Sequence, residues 1–63
     1  MHIQLCYKTK DTAEGKIHVS KTMTVKEAMK EYKGIEPHAT MAYLRHFDGW
    51  HHQIYKVLKK EID

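Results

Sequence analysis

The sequence predicts an α+β fold: an N-terminal β-hairpin packed against two to three short α-helices, in the order ββααα, as a single small domain. Three observations lead there. Residues 2–8 and 16–22 alternate apolar and polar side chains with period two. Thr24-Val25-Lys26-Glu27 has the form of a helix-capping box. Trp50, Ile54, Val57, Leu58 and Ile62 recur at helical spacing.

In the first run, Ile3, Leu5 and Tyr7 point one way, and His2, Gln4, Cys6 and Lys8 the other. In the second, Ile17 and Val19 oppose Lys16, His18 and Ser20. Both runs are rich in β-branched or aromatic residues, which suits half-buried strands in a hairpin over residues 2–22. Asp11 and Gly15 supply the turn between them, with Gly15 expected at positive φ. A two-stranded hairpin is barely stable alone. The face bearing Ile3, Leu5, Tyr7, Ile17 and Val19 is therefore expected to lie under helices.

The first helix is expected over residues 24–33, with Val25, Ala28, Met29 and Tyr32 inward and Gly34 as a left-handed cap. Met23 stands where a residue would staple the helix start. Pro37 suits the first turn of a second helix over residues 37–47, which would gather Met41, Leu44 and Phe47. A third strand at Thr40–Leu44 is the alternative, but its alternation is short, and Ala39 and Ala42 favour helix. A third helix over residues 50–62 would present Trp50 to the core, the largest apolar side chain available. Its opposite side would carry His52, Lys56, Lys59 and Lys60.

Sixty-three residues make one domain of marginal size. Cys6 is the only cysteine, so no internal disulfide forms, and a lone thiol fits a reducing compartment. With no signal-peptide pattern and no long apolar run, a cytoplasmic protein with no membrane partner is expected. Eleven Lys and Arg against eight Asp and Glu give a formal charge of +3. That permits an acidic partner without demanding one. Only Arg45 among the eleven is an arginine, the residue that phosphate and base-edge readers favour.

Residues 24–45 resemble the bacterial helix-turn-helix motif: Thr24-Val25-Lys26-Glu27-Ala28 opens a helix, Gly34-Ile35 makes a turn, and Thr40-Met41-Ala42-Tyr43-Leu44-Arg45 follows. The resemblance implies that His38, Thr40 and Arg45 face the DNA major groove while lysines of the last helix hold phosphates. In this chain the turn is longer than the motif's, and Glu36 replaces its capping Ser, Thr or Asn. His52, Lys56, Lys59 and Lys60 would serve equally to dock on an acidic protein groove.

Six histidines and one cysteine show no zinc-ligand spacing, so no metal or other cofactor is expected. Cys6 and His18, placed as neighbours on the outer sheet face, are the only conceivable nucleophile and base. The three glycines are isolated and make no phosphate loop. An enzyme is not expected. The hairpin edge offers unpaired backbone to a partner strand or to a second copy, giving a homodimer.

Together these features predict a small non-catalytic protein-binding module, of the kind phages and mobile elements carry as inhibitors or adaptors. It would dock on a nucleic-acid-handling host protein through the basic helix face or the hairpin edge. The alternative is a DNA-binding transcriptional regulator of helix-turn-helix type.

Overall fold

A computed structural model describes residues 2–47 and 51–60 of the chain. Five elements follow one another: strand β1 (Ile3–Thr9), strand β2 (His18–Val19), helix α1 (Val25–Ile35), strand β3 (Ala39–Phe47) and strand β4 (His52–Lys59). The strands form one antiparallel sheet in the order β2-β1-β3-β4. The expected ββααα arrangement is therefore corrected. Of the three helices only the first is present among the described residues, and the segments read as the second and third are strands.

The reason lies in β1. β2 pairs with it only at Cys6↔Val19 and Tyr7↔His18. Farther along, the same edge is closed by Ser20, whose amide donates to the Leu5 carbonyl while its hydroxyl accepts from the Leu5 amide at 2.8 Å. Met23 and Ile3 then exchange both backbone bonds, at 2.8 and 2.9 Å. The other edge of β1 would stay unpaired in a lone hairpin, and β3 fills it from Ile3↔His46 to Thr9↔Ala39. Pairing of β4 with β3 completes the sheet, from Phe47↔His52 to Ala42↔Lys59. Satisfying this backbone outweighs the mild helix preference of Ala39 and Ala42.

Helix α1 forms as its sequence indicates. The Glu27 amide donates to Thr24 Oγ1 at 3.2 Å, and the Thr24 amide donates to Glu27 Oε1 at 3.1 Å. Such a cap is worth about 1 kcal/mol. The helix does not stop at Gly34, as expected, but runs through it to Ile35. Pro37 lies in the turn before β3 rather than opening a helix. Gly15 has φ +80°, so the loop between β1 and β2 uses its left-handed freedom.

α1 covers one face of the sheet. Ala28 and Tyr32 pack with Ile3 and Leu5 of β1, Ala42 and Leu44 of β3, and Met23 ahead of the cap. Val25, Met29, Ile35, Tyr7 and Leu58 line the margin of this core. Ile3, Leu5 and Leu44 are fully buried. Trp50, expected at the centre of the fold, lies outside the described residues.

One part of the hairpin expectation is overturned. The register sets Val19 beside Cys6 and His18 beside Tyr7, so Val19 points away from α1. The His18 ring instead stacks on Tyr7, with centroids 4.9 Å apart.

Candidate interaction surface

With α1 on one side, alternation sends the remaining strand side chains to the other. Register places Val19, Cys6, Tyr43 and Val57 in one row across all four strands. Gln4, Arg45 and Ile54 form a second row beside it. Ile54 is 60% exposed, Val57 49% and Val19 43%. Large apolar side chains are normally the first to be hidden, so a run of them on one open sheet face is informative.

The face carries a charge bias as well. No Asp or Glu lies in any of the four strands, and the strand cations that the register puts on this face are Lys8 and Arg45. The Arg45 guanidinium is fixed by a neutral partner: Nε and Nη2 donate to Gln4 Oε1 at 3.1 and 2.6 Å.

Cys6 is fully buried beneath this face. Burial pushes its thiol above the usual cysteine range, while the Arg45 charge and the Tyr43 hydroxyl pull it partly back. Burial also raises the Tyr43 phenol, with Cys6 adding to the effect. The fold thus holds the Cys6 proton to higher pH than the unfolded chain does. Its contribution to stability is complete below the unfolded thiol's pKa, about 8.5, and is lost as pH rises through the folded value. The advantage of the native chain over Cys6→Ala in urea is accordingly expected to hold steady below about pH 8.5 and to shrink above it. Parallel stability curves for the two proteins would show the thiol to be hydrated.

The residues singled out from sequence are dispersed. His38 is exposed in the turn after α1. Thr40 is at the start of β3, its hydroxyl 3.3 Å from the Lys8 carbonyl it donates to. Arg45 is on the open face. Lys56 and Lys59 pair in register with Leu44 and Ala42, which places them on the side of the sheet that carries α1. The Lys59 ammonium donates to the Glu36 carbonyl at 3.1 Å. His52 and Lys60 are exposed at opposite ends of β4. No basic helix face exists here, because these four residues belong to a strand and its end.

The helix-turn-helix resemblance fails for the same reason. Thr40–Arg45 is the middle of a sheet, hydrogen-bonded to β1 and β4, and cannot enter a groove as a recognition helix. A regulator of that type is therefore not supported. Cys6 and His18 occupy opposite faces of the sheet, so they do not form a nucleophile and base pair.

Sequence reading missed Gln4, Tyr43, Val19, Ile54 and Val57 as members of one surface. The available signal was the absence of acids from every stretch that turns out to be strand.

A cleft of about 350 Å³ lies between β2 and α1. It mixes Leu5 and Ile35 with the opposite charges of Lys21 and Glu31. Among the described residues no group of His, Cys, Asp and Glu is arranged to hold a metal, and no helix is long and apolar enough to cross a membrane. No known protein family, curated protein or solved structure matches the chain.

Proposed function

We propose that this chain is a non-catalytic protein-binding module that docks through the open face of its sheet. The observation that carries the reading is the set of exposed aliphatic side chains Val19, Val57 and Ile54 on one sheet face, whose charged strand residues are Lys8 and Arg45 with no acid. Burying such side chains on a partner is favourable by about 25 cal/mol per Å² of apolar area. The matching surface is largely apolar and carries acidic groups opposite the cations of the face.

Protein is favoured over nucleic acid by the kind of side chain exposed. Single strands are held on several aromatic platforms, whereas the most exposed side chains of these two rows, Ile54, Val57 and Val19, offer no ring, and the one ring there, Tyr43, is only partly exposed. They do pack well against other branched and aromatic protein side chains. The charge argues further against a target groove that itself holds nucleic acid, since such grooves are basic.

A photo-crosslinking residue tests this when placed at Val57, at Ile54, or at Lys26 on the exposed side of α1. Crosslinks to protein from the two sheet positions, and none from Lys26, are expected. Adducts formed equally from Lys26, or adducts to nucleic acid alone, would overturn the reading.

A further inference from the structure

We infer that Arg45 is a carboxylate anchor, so that the partner segment crossing the open face carries an Asp or Glu set between apolar residues. This rests on the reading of that face as a docking surface and names what the surface selects.

The argument begins with how Arg45 is held. An arginine this far inside a sheet face ordinarily has an acidic companion, because a half-buried cation gains most from a charge-assisted bond. Here the companion is Gln4, which accepts two bonds from the guanidinium through one oxygen, and among the described residues no acid is paired with Arg45. That pairing still fixes the plane of the fork. The remaining Nη protons stay available, held on a side chain whose rotamer is already set. A pre-oriented guanidinium loses less freedom on meeting a planar carboxylate than a free one would.

Position adds the second half. Arg45 stands on β3, one of the two inner strands, with Ile54 beside it on β4 and the Tyr43–Val57 pair in the next row. A bound segment that covered Ile54 and Val57 would shield Arg45 from water. In that setting a matching carboxylate gains more than it would on an exposed rim, and a mismatched side chain leaves a buried charge unpaired. Lys8 is the other cation of the same face, set two rows from Arg45 beside Met41. The geometry thus favours a short extended segment with one central acid.

The test uses a bead-bound library of random peptides about ten residues long, selected in parallel by the native chain, Arg45→Met and Arg45→Lys. Native protein is expected to enrich peptides with an Asp or Glu between β-branched or aromatic residues. Changing that acid to its amide should weaken binding by about ten- to a hundredfold. Arg45→Met is expected to keep the apolar preference and lose the acidic one. Arg45→Lys should retain the charge preference but bind more weakly, because the fork is gone. Gln4→Ala, which frees the guanidinium without removing it, provides the same comparison if Arg45→Met does not fold, and should weaken acidic peptides severalfold more than neutral ones. Enrichment of apolar peptides with no acid overturns the anchor and leaves the docking surface standing. An acidic preference equally strong in Arg45→Met also overturns it. Failure of the native chain to select any peptide, while binding a single-stranded oligonucleotide, removes the docking reading itself.

Discussion

Leu44→Ala is expected to remove roughly half of the chain's stability. Leu44 is fully buried on β3, packed between Leu5 and the inner side of α1. Truncating such a leucine costs about 2–5 kcal/mol, the spread depending on how far the site collapses. A chain of this length has a total stability of only about 3–9 kcal/mol. Val57→Ala removes a similar amount of hydrocarbon from a half-exposed position and should cost well under 1 kcal/mol. Urea unfolding followed by circular dichroism separates the two. If Leu44→Ala were benign and Tyr43→Ala severe, β3 would be turned over, because slipping a strand by one residue exchanges its faces.

Tyr32→Ala has the second largest expected effect, about 3 kcal/mol. Only Ala28 and Tyr32 are buried on α1, and Tyr32 is by far the larger, so it supplies most of what fastens the helix to β1 and β3. Removing the ring should release the helix and expose Ile3 and Leu5 together. Tyr32→Phe keeps the ring and is expected to fold normally. The measurement is the midpoint of thermal unfolding for both variants. Equal midpoints would mean that the helix is held by Val25, Met29 and Ile35 at its margin instead.

The elements that could be read from sequence are those whose pattern is local. The capping box and the face of Ala28, Met29 and Tyr32 belong to one continuous helix, and they fold as written. The alternation of Ile3, Leu5 and Tyr7 likewise fixed β1. β3 and β4 were misread for a physical reason. The pairing register shifts between Leu44 and Arg45 and again between Ala42 and Tyr43, and each shift inserts one extra residue into β4. Ile54 and Val57 therefore share a face although they stand three positions apart, which mimics a helical repeat. A shift between Lys8 and Thr9 does the same to Ala39 and Ala42 of β3, both buried.

The candidate surface was hidden by the same error. Arg45 was picked out, but for a groove-reading helix, and its companion Gln4 sits 41 positions away in the chain. No periodicity links two such residues; only the β1–β3 register does. The lysines of β4 were grouped by a helical wheel that this segment never forms.

The irregularities of β4 have one more consequence. An outer strand that is straight and flat invites like molecules to join it margin to margin and grow into fibres. Here the two inserted residues coil that margin, and Lys56 and Lys59 set equal charges against each other whenever two such margins meet. Exposed greasy side chains on the sheet can thus coexist with a margin that repels its own siblings. That resistance weakens in strong brine, where the ammonium groups are screened.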